Sequence, residues 1–182
     1  MTVLIPAYKP DENLVQQAEQ LNVLIVDDGS GEEYRDIFRQ AEIAGATVLR
    51  HDKNRGKGAA LKTGINYLLG NMPEEDVVTA DADGQHLYED IVKIAEFMRS
   101  DKECLVIGER NIKEMPLRSK VGNTLTRILY SLVTRKPVED TQTGLRGIPS
   151  KLLGWASNIE GDRYEYEMNM LLSAGPCNII IK

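Results

Sequence analysis

Two aspartates one residue apart, Asp81 and Asp83, follow the apolar run Val77–Ala80 within Thr79-Ala80-Asp81-Ala82-Asp83-Gly84-Gln85-His86. Alternate residues of an extended segment point the same way, so both carboxylates can serve one site. A pair at the carboxyl end of a strand suits Mg2+ or Mn2+, with a diphosphate supplying further oxygens. A solvated acidic turn is the other reading of the same residues. His86 either completes the metal site or caps the helix that follows. A second acidic pair ends another apolar run, in Val26-Asp27-Asp28-Gly29-Ser30. Asp27 suits a turn. Asp28 suits the imino N–H of a uracil or guanine ring, while Gly29 permits the tight turn and Ser30 caps the next helix. The third signal is the basic, glycine-containing stretch His51-Asp52-Lys53-Asn54-Arg55-Gly56-Lys57-Gly58-Ala59-Ala60-Leu61. A loop of this kind opening a helix can hold diphosphate oxygens, or can simply be solvated. Gly58 stands where a Walker A loop needs Ser or Thr, and Gly56-x-Gly58 lacks the third glycine of a dinucleotide fingerprint, so ATPase and NAD readings weaken.

These residues need strands to carry them. Thr2–Ile5, Val23–Val26, Thr47–Leu49, Val77–Ala80 and Leu105–Ile107 are short, apolar runs bounded by polar turns and read as strands. Glu12–Leu21, Glu32–Ala44, Ala59–Leu69 and Glu89–Arg99 carry apolar residues at helical spacing, with Ser30 and Glu33 placed as a capping box before the second. Strands alternating with helices predict a largely parallel, twisted α/β sheet whose ligands bind outside the carboxyl ends of the strands. After Gly108 the pattern changes to a basic, turn-rich stretch over 109–120, a helix over about 121–134, a polar loop over 136–144 and a helix near Tyr164–Ser173. The last residues, Asn178–Lys182, read as a strand, and a strand at the end of the chain reads as a premature stop.

The 182 residues fit one domain with one sizeable core. Lys and Arg number 22 against 28 Asp and Glu, a formal charge of −6, which disfavours general nucleic-acid binding. The composition, 42% hydrophobic and 27% charged, is that of a soluble globular protein, and no apolar run approaches the ~20 residues of a spanning helix. Cys104 and Cys177 sit beside apolar residues and read as core thiols. With no basic-then-apolar leader over Met1–Lys9, a reducing, cytoplasmic setting is expected.

An acidic pair suited to a metal, a carboxylate suited to a base and a cationic loop, all at strand ends, describe a nucleotide-diphosphate site. Four motifs in order, Ile5-Pro6-Ala7-Tyr8, Val26-Asp27-Asp28-Gly29-Ser30, Asn54-Arg55-Gly56-Lys57-Gly58-Ala59-Ala60 and Asp81-Ala82-Asp83-Gly84-Gln85-His86, resemble the family-two glycosyltransferases of GT-A fold. The polyprenyl- and dolichyl-phosphate sugar synthases are the most similar branch, and the resemblance runs from Thr2 to about Leu172. It implies a Rossmann-like three-layer sandwich forming a single catalytic domain, with a nucleotide-sugar half over 1–108 and an acceptor-side half over 109–182.

The resemblance implies that Pro6, Ala7, Tyr8 and Asp28 line the nucleoside pocket, that Lys57 lies near the nucleotide, and that Asp81, Ala82, Asp83 and Gln85 meet the diphosphate, metal and sugar. Mg2+ or Mn2+ would be held by Asp81, Asp83 and His86. Gly108-Glu109-Arg110 resembles the family's Gly-Ser-Arg, with Glu109 replacing a small residue, and Asp140-Thr141-Gln142-Thr143-Gly144-Leu145-Arg146 resembles its acceptor-side loop. Lys9 stands where many members have Asn.

The reaction implied is an inverting transfer of sugar from a UDP- or GDP-sugar to a polyprenyl phosphate, or alternatively to a growing saccharide. Asp83 would act on the leaving group. Asp140 would serve as general base toward a hydroxyl acceptor, whereas an ionised lipid phosphate needs cations instead. Arg118, Lys120, Arg127, Arg135 and Arg146 are the candidate cations, with Arg118 and Arg146 preferred, and Glu165, with Glu167 near it, falls in the helix expected beneath the acceptor. Val121, Leu125, Ile128, Leu129, Leu132 and Val133 share one side of their helix, as core or as a peripheral contact with a membrane face. Two rivals come from other classes. A haloacid-dehalogenase-type phosphatase is suggested by Asp81-x-Asp83-Gly84, but that family has Thr after the glycine, where Gln85 stands. A divalent-cation binding module would leave Pro6-Ala7-Tyr8 and the 54–60 loop unexplained.

Overall fold

Strand β1 (Thr2–Ala7) shows why the sheet forms. Its residues alternate between two cores: Leu4 packs with Leu24, Val26, Leu61, Ile65 and Leu68 on one face, and Val3 and Ile5 pack with Val23, Ile25, Leu14 and Phe38 on the other. Val3, Leu4 and Ile5 are all fully buried. Covering both faces takes helices, and the chain supplies them between strands. The computed structural model describes residues 1–86, 88–100, 104–108, 143–174 and 180–181.

In chain order after β1 come α1 (Asn13–Gln20), β2 (Val23–Asp27), α2 (Arg35–Ile43), β3 (Thr47–Arg50) and α3 (Lys57–Asn71). Next are β4 (Val77–Thr79), α4 (Tyr88–Ser100), β5 (Cys104–Ile107), β6 (Arg146–Ile148), α5 (Leu153–Ser157), α6 (Glu165–Ala174) and β7 (Ile180–Ile181). The seven strands lie in the order β3-β2-β1-β4-β6-β5-β7. β3, β2, β1 and β4 run parallel, with Leu4 opposite both Leu24 and Thr79. β6 is antiparallel to β4 and β5, and β7 is parallel to β5. The mostly parallel α/β sheet expected from the sequence is present. Helix α3 approaches β1 so closely that a Cβ on Gly64 would stand 2.2 Å from Leu4 Cδ1.

Several expectations need correction. The capping box before α2 does not form: Ser30 Oγ accepts the backbone N–H of Lys9 (2.9 Å), and the helix is entered through a 3-10 turn over Glu32–Tyr34. β6 was unforeseen because Arg-Gly-Ile carries little strand signal, and α5 because it has five residues. Cys104 is buried, as read, whereas Cys177, Lys120, Arg127, Arg135 and the expected helix over 121–134 lie outside the described residues. Among the described residues, no helix is long and apolar enough to cross a membrane.

Candidate functional site

Because β2, β1 and β4 are parallel neighbours, the loops leaving their carboxyl ends converge at one edge of the sheet. There they enclose a cleft of about 960 Å³ lined by Pro6, Ala7, Tyr8, Lys9, Pro10, Asp11, Asp28, Asn54, Gly56, Lys57, Asp81, Ala82, Asp83, Arg163, Tyr164 and Glu167. Three separate sequence signals, after β1, before α3 and after β4, are thus brought together. This is where a parallel α/β sheet places its ligands.

The loop before α3 is held by Asp28. Its carboxylate is buried, Oδ1 accepting the Arg55 N–H (2.8 Å) and lying 2.8 Å from His51 Nδ1, and Oδ2 accepting the Gly56 N–H (2.8 Å). The other nitrogen of His51, Nε2, lies 2.9 Å from Thr63 Oγ1. Asp28 was expected to meet a nucleobase. Here both oxygens are directed to the loop, and the residue works as a latch between the end of β2 and the start of α3. Asp27, as expected, makes a turn, its Oδ1 accepting the Ser30 N–H (2.9 Å). Gly56, at φ +105°, takes a conformation that L side chains avoid, and a Cβ there would stand 2.3 Å from the Asp162 carbonyl oxygen. The turn before α6 therefore packs directly on the loop.

The loop after β1 carries a strained residue, Lys9, in the left-handed region at φ 53°. Its N–H is fixed by Ser30 Oγ, and its ammonium stands 5.4 Å from the centre of the half-exposed Tyr8 ring. Tyr8 lines the cleft beside Pro6 and Ala7.

At the end of β4, Asp81 Oδ1 accepts a hydrogen bond from Lys57 Nζ (2.7 Å), and Oδ2 lies 3.2 Å from His86 Nε2. Burial alone would raise the Asp81 pKa. The His86 hydrogen bond and the Lys57 ammonium outweigh it and hold the carboxyl well below the usual carboxylate range. Lys57 also pairs with Glu167, Nζ to Oε1 at 3.0 Å. Burial would lower its pKa, but the charges of Glu167 and Asp81 raise it, so the ammonium is secured. One cation therefore joins β4, α3 and α6. Gly144 closes over this network, since a Cβ there would stand 2.4 Å from Asp81 Oδ2.

Asp83 is exposed on the cleft wall, and its Oδ1 accepts the Gln85 N–H (3.0 Å). Gln85 itself is exposed and is not among the lining residues. Asp81, Asp83 and His86 do not form the expected three-ligand centre: among the described residues, no three His, Cys, Asp or Glu side chains come together to hold a metal. His86 Nε2 is turned to Asp81, and one oxygen of Asp81 is taken by Lys57. The donor set fits the same kind of cation held in a different way. Five lining carboxylates face three lining cations, so a diphosphate enters this cleft against net negative charge unless a divalent ion comes with it. Mg2+ is commonly held by one or two carboxylates with phosphate oxygens completing the shell, and Asp83, beside Asp81, offers that.

The acceptor-side expectations fare differently. Arg146 is 1% exposed. Its Nε donates to the Thr143 carbonyl (3.2 Å) and its NH1 to the Glu167 carbonyl (2.6 Å), so it ties β6 to α6 in the interior and does not face an acceptor. Glu165 closes the turn before α6, Oε1 accepting the N–H groups of Asp162 (3.1 Å) and Arg163 (3.2 Å). Its carboxyl lies low because backbone N–H groups stabilise the ionised form. Asp140, Arg118, Glu109, Arg110, Thr141 and Gln142 lie outside the described residues. Asp11, Asn54, Arg163 and Tyr164 line the cleft without having been expected there, and Glu167, expected with Glu165 beneath the acceptor, lines it too. Of these Glu167 had a sequence signal, since it shares the buried stripe of α6 with Tyr166, Met170, Leu171 and Ala174. A carboxylate is out of place there unless it has work.

Residues 11–151 match the profile of glycosyl transferase family 2. An uncharacterized protein of Methanocaldococcus jannaschii is 32% identical over 187 residues, covering 94% of this chain and 74% of its own length. The UDP-N-acetylglucosamine–dolichyl-phosphate N-acetylglucosaminyltransferase of Methanococcus voltae is 31% identical over 191 residues, covering 90% and 75%. Among solved structures, glucosyl-3-phosphoglycerate synthase of Mycobacterium tuberculosis, in complex with Mn2+, UDP-glucose and phosphoglyceric acid, superposes with TM-score 0.67 at 18% identity. It covers 99% of this chain and 68% of that one.

Proposed function

Since the chain belongs to glycosyl transferase family 2 and is a glycosyltransferase of GT-A fold, we propose that it moves a sugar from a nucleotide-diphosphate donor to a polyprenyl phosphate with inversion at the anomeric carbon. The observation that carries the donor half is the convergence of the Tyr8 ring, the latched 51–56 loop and the Asp81–Lys57 pair on one cleft. Pro6, Ala7 and Tyr8 form the apolar wall for the nucleoside, and Asp28 acts behind the loop by fixing its shape. Asp83, with Asp81 beside it, would hold Mg2+ or Mn2+, which supplies charge neutralisation to the leaving diphosphate. The acceptor half rests on the Methanococcus voltae relative, whose acceptor is dolichyl phosphate. An ionised phosphate attacks without a general base, so Asp140 is not required as one. Peripheral contact with a membrane carrying the acceptor belongs to the same proposal.

Calorimetric titration of UDP and of GDP, each with and without Mn2+, into the wild type and Asp83→Ala tests the donor half. The expected result is binding of one nucleotide that weakens at least tenfold when either Mn2+ or Asp83 is removed. Equal affinity in all four conditions would remove the metal from the proposal. The absence of binding by either nucleotide would remove the donor site.

A further inference from the structure

Helix α1 supplies nothing to the transfer proposed above, yet two of its side chains reach the acidic loop after β4. Asn13 and Gln17 stand one turn apart and so share a face of the helix. Asn13 Nδ2 donates to the Asp83 carbonyl (3.2 Å), and Gln17 Nε2 donates to the Asp81 carbonyl (3.3 Å). The two acceptors are thus the backbone carbonyls of the residues whose carboxylates were assigned to the divalent ion. Contact continues at the end of the loop, where a Cβ on Gly84, at φ +71°, would stand 3.0 Å from Asn13 Cβ. Asn13 is itself held in place, its backbone N–H donating to Asp11 Oδ1 (3.0 Å) and its Nδ2 to Asp11 Oδ2 (3.2 Å).

Gln17 is a poor choice for packing alone. It is buried beside Leu14 and Ala18, and its Oε1 has no hydrogen-bond partner among the described residues. An unpartnered amide oxygen is costly in such a place, and Met would fill the space without that cost. What Gln offers and Met lacks is the N–H given to Asp81. The Asp81 carboxylate is fixed at its tip by Lys57 and His86, whereas the exposed Asp83 carboxylate meets only the Gln85 N–H among the described residues. The direction in which Asp83 is presented therefore depends on its backbone, and α1 holds that backbone at both aspartates. Divalent ions such as Mg2+ demand near-ideal coordination geometry, and partners that orient their ligands count for much of the affinity. We infer that Asn13 and Gln17 are positioning residues of the metal site, setting the backbone of Asp81 and Asp83 so that the two carboxylates are presented together to one divalent ion. This rests on the metal reading of the donor site above.

The test is calorimetric titration of UDP and of GDP into wild type, Gln17→Met and Asn13→Ala, without Mn2+ and at a series of Mn2+ concentrations, with circular dichroism melts of the same proteins. Both variants are expected to bind nucleotide without metal within about twofold of wild type, and to need roughly tenfold more Mn2+ for half of the metal's effect, the lower end of what an orienting partner of a metal ligand contributes. Gln17→Met is expected to melt within about 3 °C of wild type, because an unpartnered buried oxygen leaves together with the lost donor. If Gln17→Met does not fold, Asn13→Ala, which removes a half-buried side chain, is read the same way. Equal weakening with and without Mn2+ would make α1 a general support of the cleft and overturn the inference. An unchanged Mn2+ requirement in the variants, whatever their melting temperatures, would assign the two amides to stability alone and overturn it too. If binding to the wild type is indifferent to Mn2+, or if it binds neither nucleotide, the metal reading fails in the wild type itself and takes this inference with it.

Discussion

Asp28 is the residue whose expected and observed roles are most cleanly separated by one substitution, Asp28→Asn. Its carboxylate meets three partners at 2.8 Å, Arg55 N, Gly56 N and His51 Nδ1, with the side chain 4% exposed. An amide can keep an oxygen toward only one side. If oxygen stays toward Arg55 and His51, an NH2 group faces the Gly56 N–H, one bond is lost outright, and the other two lose their charge assistance. Hydrogen bonds to charged groups contribute about 1.5–3 kcal/mol each, so a loss of about 3 kcal/mol is expected. For a chain of this length each kcal/mol moves Tm by roughly 2–4 °C, giving a fall of roughly 6–12 °C. Far-UV circular dichroism melts at pH 7 measure it. Nucleotide affinity should fall for UDP and GDP alike, because the loop that presents Lys57 loosens. A Tm within about 2 °C of wild type, combined with lost discrimination between the two bases, would refute the latch and return Asp28 to the nucleobase.

Two further substitutions probe the scaffold. Gly64→Ala places a methyl 2.2 Å from Leu4 Cδ1 in the packed layer between α3 and β1, and overpacking of this kind should cost about 1–3 kcal/mol, read as a shifted urea midpoint with unchanged m-value. Tyr166 donates its O–H to the Ala156 carbonyl (2.8 Å). Burial pushes its phenol pKa well above the ordinary value of 10.0, Arg146 opposing and Glu167 adding to the rise. A pKa raised on folding means the native state keeps its proton where the unfolded state loses it. The contribution is whole below pH about 10 and is lost above it, by up to about 1.4 kcal/mol per pH unit. Urea titrations between pH 9 and 11 should show a steeper loss in wild type than in Tyr166→Phe, and parallel slopes would contradict the assignment.

The parts of the molecule that could be read from the sequence share one property: their meaning is local. Val23–Val26 must be a buried parallel strand because its residues are all apolar and β-branched or Leu, and Asp81-x-Asp83 must end a strand because Val77–Ala80 precedes it. What escaped was decided across long sequence separations. Ser30 and Glu33 have capping-box spacing, yet Ser30 Oγ is claimed by Lys9, 21 residues away. Arg146 and Glu165 have charges fit for an acceptor, yet one is spent on the Glu167 carbonyl and the other on its own turn. A charge with a partner inside the fold is not available to a ligand, and that pairing is a tertiary fact.

The same reasoning explains how an acidic protein can hold a polyanionic donor. The donors nearest the acidic pair are not free to bind phosphate: Lys57 is shared between Asp81 and Glu167, and His86 Nε2 is turned to Asp81. Removing Asp81 would leave Lys57 with one partner, and removing Lys57 would leave the half-buried Asp81 and the buried Glu167 without their shared cation, so the network is fixed by mutual need before any ligand arrives. Preorganisation of this kind means the ligand does not have to order these side chains itself. It also assigns the labour. On the proposed reading the diphosphate would be bound through a divalent ion on the exposed Asp83, while Asp81 and Glu167 serve to hold the ammonium.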